Sequence, residues 1–132
     1  MTDNTSTRPA VAAITEKEIS DGKVMSIIAY LGILCFIPLL TSKENKYVMY
    51  HTEQGLALFI TWVIVWIVFI ILDPILYNLI NFGYFCGGSL IYSLIRLFLF
   101  VLLIMGIINA AQGKIKELPV IGSFGAKFNL VK

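Results

Sequence analysis

The sequence has 132 residues, of which 58% are hydrophobic and 14% are charged, whereas a soluble domain carries about 25% charged residues. A net charge of +2, with the lysines and arginines scattered along the chain, argues against a nucleic-acid-binding protein. From residue 24 to residue 111 the polar helix faces that water requires are mostly missing, so the composition predicts an all-α polytopic membrane protein whose surroundings are membrane lipids.

The N-terminal segment, residues 1–22, is rich in small polar and charged residues. It has no periodic apolar stripe that would pack a helix, so we expect a solvated tail. Ile14 and Ile19 lie among charged residues, and a short surface helix is the alternative.

The first apolar run covers residues 24–40 and predicts the first of about three transmembrane helices. As a helix it would rise about 25 Å, which is the low end for a spanning segment. Pro38 lies in the last predicted turn and suits a helix that ends near the lipid headgroups. A re-entrant or buried helix is the alternative.

A polar stretch, residues 41–55, separates this run from the next. Ser42 is placed to cap a new helix. Tyr47, Tyr50 and Gln54 recur at helical spacing, and we expect the two tyrosines at headgroup level.

The second predicted span, residues 56–72, contains no charge. Asp73 and Pro74 follow it, and together they predict the end of the helix because Asp is costly in hydrocarbon and Pro disfavours helical geometry in the residue before it. Residues 74–89 are apolar but interrupted by glycines. An interfacial helix with a glycine turn, a re-entrant segment and a fourth crossing are all compatible with them.

The third predicted span, residues 90–111, ends in a glycine and a lysine, as helices often do. The chain therefore divides into a tail (1–22), a transmembrane domain (23–113) and a basic interfacial tail (114–132). Three spans would put the termini on opposite faces of the cell inner (plasma) membrane. Six basic residues against three predict that the C-terminus is cytoplasmic.

Four polar residues are predicted to meet at the cytoplasmic boundary of the second and third spans. His51 and Gln54 share one helix face, and Asn109 and Gln112 share a face of the antiparallel neighbour. They could form a binding or gating site, or simply hydrogen bonds between the two helices.

A charge pair is predicted near the opposite face. Arg96 lies about 9 Å along the third span from Leu90, and an ionisable residue inside a span calls for a partner. Asp73 is the partner that we name. The alternative is that Arg96 extends to the headgroups.

Catalytic, metal-binding and cofactor-binding constellations are missing from the sequence. It has one histidine, His51, and its two cysteines, Cys35 and Cys86, have no paired spacing for zinc. His51 and Glu53 differ by two positions and point to different helix faces. We therefore expect no enzyme, no cofactor and no metal.

Three runs carry a family resemblance: residues 28–40 (IAYLG to IPLL), residues 50–56 (YHTEQGL) and residues 109–122 (NAAQG to LPVIG). Together they resemble small prokaryotic membrane proteins that are described as similar to the Tic-type import component of the chloroplast inner envelope and that include magnetosome membrane proteins of the MamF kind. The resemblance implies a helical membrane domain of three to four spans and, for the plastid relatives, a part in protein translocation. It implies no chemistry for the bacterial members.

These observations predict a non-catalytic membrane component that assembles with itself or with another membrane protein, in translocation or membrane organisation. The alternative function is an oligomeric channel or permease subunit for a small solute. Its path would be lined by five polar residues, which are His51, Gln54, Arg96, Asn109 and Gln112.

Overall fold

The computed structural model describes residues 13–80 and 89–116 and, in the C-terminal tail, residues 118, 119, 121, 124, 125, 127, 128 and 130. Every regular element in these residues is helical, which confirms the predicted all-α membrane fold. The α-helices are α1 (Glu16–Ile28), α2 (Phe36–Thr41), α3 (Lys46–Ile80) and α4 (Ser89–Ala111), and a 3-10 helix over Gly32–Cys35 precedes α2.

Two helices, α3 and α4, are long and apolar enough to cross a bilayer. At 1.5 Å per residue they are about 52 Å and about 35 Å long, and a bilayer has a hydrocarbon core of about 30 Å. Large apolar side chains stay exposed on both helices, including Trp66 (49%), Ile71 (57%) and Leu97 (59%). Three spans were predicted, and the described residues contain two such helices.

The two long helices are antiparallel, as predicted. Near the start of α3, the Tyr47 hydroxyl donates to the carbonyl of Ala110 in the last turn of α4 at 2.7 Å. Further along α3, the Phe69 ring lies 4.7 Å from the Tyr92 ring, which is in the first turn of α4. The beginning of one helix therefore lies beside the end of the other.

The first apolar run, residues 24–40, is not one helix, contrary to the prediction of a span. α1 ends at Ile28, and the chain turns through Gly32, whose φ of 62° is left-handed and suits glycine. Phe36 then packs edge-on against Phe59, with ring centroids 6.1 Å apart. The turn thus reaches 13 residues, or about 20 Å, along α3 before the chain returns to Lys46. This path is compatible with the re-entrant alternative, and we call residues 29–41 the re-entrant turn.

The N-terminal segment is also more ordered than a solvated tail, because α1 begins at Glu16 and packs against α3. A Cβ on Gly22 would lie 2.6 Å from a methyl of Val48 and 2.9 Å from the amide nitrogen of Asn45. The helix alternative is therefore correct, although this helix is packed against the protein. Residues 1–12 lie outside the described residues.

The cap of α3 is Asn45, where Ser42 was predicted. The Asn45 side-chain oxygen accepts from the Val48 backbone N–H at 3.2 Å, and its amide nitrogen donates to the Glu18 carbonyl in α1 at 2.9 Å. Ser42 instead closes a turn, because its carbonyl accepts from the Asn45 N–H at 3.1 Å. The Asn45 side chain thus caps the N-terminus of α3 and also bonds it to α1.

The far end of α3 continues through Asp73 and Pro74, where we predicted that it would stop. Proline removes one backbone hydrogen bond, and such a loss is tolerated in membrane helices where other groups bond the freed backbone atoms. The carbonyl that Pro74 frees is that of Ile70, whereas the Asn78 side chain donates to the Pro74 carbonyl, one turn further on, at 2.8 Å. The predicted glycine turn over residues 83–88 lies outside the described residues.

The start of α1 should make the fold sensitive to acid. Thr15 and Glu18 form a capping box, and a Glu18 carboxylate oxygen also accepts from the Lys46 backbone N–H at 3.3 Å. Partial burial raises the pKa of Glu18, but the hydrogen bonds from Thr15 and Lys46 and the positive charge of Lys46 outweigh it, so the pKa is lowered. A carboxyl with a lowered pKa stabilises the fold above its unfolded pKa, and this contribution is lost as the pH falls through the folded pKa.

We therefore expect the melting temperature in detergent to fall below about pH 4, near the unfolded pKa of a glutamate. Glu18→Gln should weaken that fall. Thr15→Ala should cost about 1 kcal/mol at neutral pH through loss of the cap. An acid transition of equal size in Glu18→Gln would show that another carboxyl is responsible.

Candidate functional site

The first turns of α3 form a buried polar site, although they were predicted to lie at the headgroups. All nine residues from Tyr47 to Gly55 are buried, including the hydrophilic side chains of His51, Glu53 and Gln54. α1, the last turn of α4 and the C-terminal tail cover the different faces of this segment. Polar side chains enclosed in this way need partners from the protein itself.

His51 connects two distant parts of the chain. Its Nδ1 lies 2.8 Å from the Tyr30 hydroxyl, which follows α1, and its Nε2 lies 2.9 Å from the Lys114 carbonyl, which follows α4. A carbonyl can only accept, so Nε2 carries a hydrogen and donates it to Lys114. The neutral ring with that hydrogen then accepts from the Tyr30 hydroxyl through Nδ1.

Three tyrosine rings surround the His51 imidazole. The centroids of Tyr47, Tyr50 and Tyr30 lie 4.7, 5.4 and 5.7 Å from the imidazole centroid, all in edge-to-face arrangements. Edge-to-face packing of this kind adds stability beyond the buried area. The imidazole is therefore fixed in orientation as well as in its hydrogen bonds.

The neighbouring acid and amide hold the C-terminal tail. A Gln54 side-chain oxygen accepts from the Leu118 backbone N–H at 3.2 Å, and a Glu53 carboxylate oxygen accepts from the Leu130 backbone N–H at 2.7 Å. Gly125 lies so close to α3 that a Cβ there would be 2.7 Å from the Glu53 carbonyl oxygen. We call His51, Glu53 and Gln54 the tail clamp, because each bonds a backbone group of the tail: those of Lys114, Leu130 and Leu118, respectively.

The predicted four-residue cluster is brought together only in part. His51 and Gln54 are in the buried site, but Asn109 is half-buried and contributes its backbone carbonyl, 3.5 Å from the Tyr47 hydroxyl. Gln112 is exposed. The channel alternative would need His51 and Gln54 to line a path for solute. Both side chains are instead enclosed by the protein and hydrogen-bonded to its backbone.

Sequence reasoning missed three members of the site. Tyr30 was read as part of a span, Tyr47 as an interfacial ring, and Glu53 only as a poor partner for His51. The signal that could have found Glu53 is its position between His51 and Gln54, because a helical turn with several polar side chains beside an apolar span needs several protein partners.

The predicted charge pair, Asp73 with Arg96, is not brought together, and no ion pair joins these two described residues. The Arg96 guanidinium carbon instead lies 5.5 Å from the centre of the Tyr92 ring, one turn closer to the start of α4. Side chains on a helix lean toward its N-terminus. Arg96 therefore points toward the membrane face at which α4 begins, as the alternative of extension to the headgroups requires.

The chemistry of the buried site is hydrogen bonding to the chain itself. No group of three or more histidine, cysteine, aspartate or glutamate side chains that could hold a metal ion occurs within the described residues. Cys35 is a buried free thiol, and Cys86 lies outside the described part of the chain. The arrangement is suited to holding the re-entrant turn and the tail against α3.

Removing the acceptor of Glu53 should release the end of the tail. Glu53→Leu leaves the Leu130 N–H without its partner, whereas Glu53→Gln keeps an acceptor oxygen at the same place. Limited trypsin digestion in detergent should cut after Lys127 several-fold faster in Glu53→Leu than in the parent protein. Glu53→Gln is the matched control and should stay close to the parent, and equal cutting rates in all three proteins would contradict the tail clamp.

Residues 21–125, from α1 to the packed part of the tail, match the protein family described as the magnetosome magnetite crystal formation protein family. The chain belongs to this family. The matched range includes the tail clamp, the re-entrant turn and both long helices. The magnetosome part of the resemblance found in the sequence is thereby confirmed, and the likeness to the Tic-type import component remains a prediction.

Individual members of the magnetosome family are similar to this chain over different lengths. Magnetosome protein MamF of Paramagnetospirillum magneticum is 33% identical over 103 residues, which are 78% of this chain and 81% of that protein. Magnetosome protein MmsF of the same species is 36% identical over 74 residues, which are 56% and 66% of the two chains. MamF of Magnetospirillum gryphiswaldense is 54% identical over 35 residues, 26% and 32% of the two chains. No solved structure matches the chain.

Proposed function

We propose that this protein is a non-catalytic component of the magnetosome membrane that acts in magnetite crystal formation by assembling with copies of itself or with other membrane proteins. The family description and the MamF and MmsF relatives supply the process. The observation that carries the structural part is the contrast between the two ends of α3. Its polar beginning is enclosed by the chain, and large apolar side chains are exposed along its later part, from Trp62 to Leu79.

An assembly role follows from what is left on the surface. The polar side chains of the tail clamp are occupied by backbone groups of the same chain. α4 exposes large apolar side chains along its whole length, from Leu90 to Ile108. Such a surface can contact lipid or other membrane helices through close packing, whereas a reaction would need free polar groups that converge on a substrate.

The proposal is tested in a Paramagnetospirillum magneticum strain that lacks MamF and MmsF. We expect this protein, fused to a fluorescent reporter, to localise to magnetosome membranes and to alter crystal number or length in electron micrographs toward the parent strain. The matched control is Gly55→Leu, which should not fold. Correct localisation with crystals unchanged from the deletion strain would refute a part in crystal formation.

Self-association is tested separately by light scattering of the protein eluting from a size-exclusion column in mild detergent. We expect a mass above one chain, or co-purification of other membrane proteins from the magnetosome membrane. A monodisperse monomer with no partner would overturn the assembly part of the proposal while leaving the part in crystal formation to the genetic test.

We also propose that α1 and the C-terminal tail lie on the cytoplasmic side. A Cβ on Gly113, after α4, would lie 2.9 Å from Ile19 in α1, so α1 and the tail lie at the same end of the antiparallel pair α3 and α4. Seven of the eight basic residues within the described part of the chain belong to the segments at that end: Lys17, Lys23, Lys43, Lys46, Lys114, Lys116 and Lys127. Loops rich in lysine and arginine stay in the cytoplasm.

Single cysteines at positions 17 and 127, in a background with Cys35→Ser and Cys86→Ser, test this orientation in intact cells that express the protein. Both lysines are exposed, so both cysteines should react with an impermeant maleimide only after the membrane is opened. One protected and one labelled cysteine would instead indicate three crossings, as the sequence predicted.

A further inference from the structure

A cavity of about 850 Å³ opens between α3, α4 and the 3-10 helix. Its volume falls within the range of ligand sites in proteins, about 300 to 1,000 Å³. The walls are mainly apolar and include Trp62, Phe100 and Leu103, and Arg96 is the charged residue among those that line it. The cavity is therefore an apolar slot beside the two long helices with one positive charge in its lining.

The positive charge has no protein counter-ion among the described residues. Arg96 forms no ion pair with Asp73 or another described acid, and its guanidinium contacts the Tyr92 ring. It lies seven residues, or about 10 Å, from the beginning of α4. A charge at this depth is costly unless an anion or water reaches it.

The charge also lies near one end of the cavity. On α4 the lining runs from Ser93 to Leu103, about 15 Å at 1.5 Å per residue. Arg96 and Ser93 are at the end closer to the membrane face where α4 begins, and Tyr30 and Gly32 of the re-entrant turn also line the cavity. A ligand that fits this distribution has an anionic head near one membrane face and a long apolar tail directed toward the middle of the bilayer.

We propose that this cavity binds an anionic phospholipid, with its phosphate at Arg96 and Ser93 and an acyl chain against Trp62 and Leu103. Arginine matches the geometry of a phosphate and forms charge-assisted hydrogen bonds with it. The α4 helix of a second copy, which contains no acidic residue, would fill the apolar walls but bring no anion to Arg96. Lipid binding at this cavity does not depend on the proposed part in crystal formation, so either proposal can fail while the other holds.

The two tryptophans of the chain provide a matched pair of reporters. Trp62 lines the cavity, whereas Trp66, one turn further along α3, lies outside the lining, and the two rings are similarly exposed, at 43% and 49%. The full-length Trp66→Phe protein therefore reports on the cavity, and Trp62→Phe reports on the outer surface of the same helix. Each is reconstituted in phosphatidylcholine vesicles that contain a small fraction of lipid brominated in the acyl chain.

Brominated phosphatidylglycerol should quench Trp62 with about a tenfold lower half-saturating mole fraction than brominated phosphatidylcholine, which corresponds to about 1.4 kcal/mol. Unlabelled phosphatidylglycerol, and not unlabelled phosphatidylcholine, should relieve this quenching. Trp66 should be quenched equally by the two lipids. Arg96→Gln should abolish the preference at Trp62, and Lys43→Gln, which removes an exposed loop cation, should leave it unchanged.

Three outcomes would overturn the site. Equal quenching of Trp62 by both lipids would mean that the head group is not selected, and no quenching by either lipid would mean that protein fills the cavity. A preference that survives Arg96→Gln would place the anion elsewhere. If Arg96→Gln does not fold, competition by the unlabelled lipids in the Trp66→Phe protein still decides, because equal competition by both lipids refutes the proposal.

Discussion

Gly55→Ala is expected to lower the thermal stability of the protein sharply and to reduce the yield of folded protein. A Cβ at this position would lie 1.9 Å from the carbonyl oxygen of Ala29 and 2.7 Å from its carbonyl carbon. The obstacle is backbone, so no side-chain rotation can relieve it. Adding a methyl group to a tight core costs about 1–3 kcal/mol, and a backbone obstacle should bring the cost to the upper end of that range or above it. Alanine would otherwise favour α3 by up to about 1 kcal/mol.

The matched control is Gly32→Ala, in the turn that α3 holds in place. Nothing lies within 4 Å of a Cβ at Gly32, although its φ of +62° disfavours a side chain, which costs about 1–2 kcal/mol. Melting curves in detergent and the monodisperse fraction on a size-exclusion column compare the two variants. If Gly55→Ala melts at or above the temperature of Gly32→Ala, the re-entrant turn does not lie against α3 as described.

The two long apolar helices could be predicted from the sequence, because each lipid-facing residue is itself apolar and adds to the hydropathy of its segment. Residues 56–72 and 90–111 are hydrophobic in nearly every position, and both lie in long helices. Pro74 misled the prediction of where α3 ends, since the same residue that stops a helix in water is tolerated in a membrane helix.

The first run, residues 24–40, could not be assigned correctly from hydropathy alone. A spanning helix and a re-entrant turn both need a mainly apolar segment, and a segment of seventeen residues is long enough for either. The deciding contact joins the backbone of Ala29 to Gly55, and a backbone group has no signature in the sequence. Gly55, which is 26 residues further along the chain, provides the space for the Ala29 carbonyl.

The same reason limits what could be foreseen of the site. His51 and Gln54 were predicted to make hydrogen bonds, but their partners in the tail are the backbone groups of Lys114 and Leu118. Asn109 and Gln112 were predicted as partners because they lie at the same depth in the antiparallel helix as His51 and Gln54 do in α3. The rotation of α4 instead turns Ala110 toward Tyr47, and rotation about a helix axis is set by packing of the whole bundle.

The site therefore joins three segments that are far apart in the sequence. The Tyr30 hydroxyl belongs to the re-entrant turn, His51 to α3 and the Lys114 carbonyl to the tail. Losing the imidazole would affect both ends of this connection at once. Losing the hydroxyl would affect only the turn.

His51→Leu is accordingly expected to cost more than Tyr30→Phe. It leaves the Tyr30 hydroxyl and the Lys114 carbonyl without their partner, and a buried polar group without a partner costs about 1–3 kcal/mol. A total loss of about 2–6 kcal/mol is expected from the two groups together. His51→Gln should be mild, because an amide can both donate and accept.

A double-mutant cycle separates the hydrogen bond from the packing of the rings. In Tyr30→Phe with His51→Leu, neither partner is left alone at this position, so the double variant should lose less stability than the sum of the single losses, by about 1 kcal/mol or more. Unfolding by denaturant in detergent measures the four proteins. Losses that add within about 0.5 kcal/mol would mean that the two side chains are not coupled. If His51→Gln kept its stability but failed to change magnetite crystals in the deletion strain, His51 would have a role beyond holding the tail.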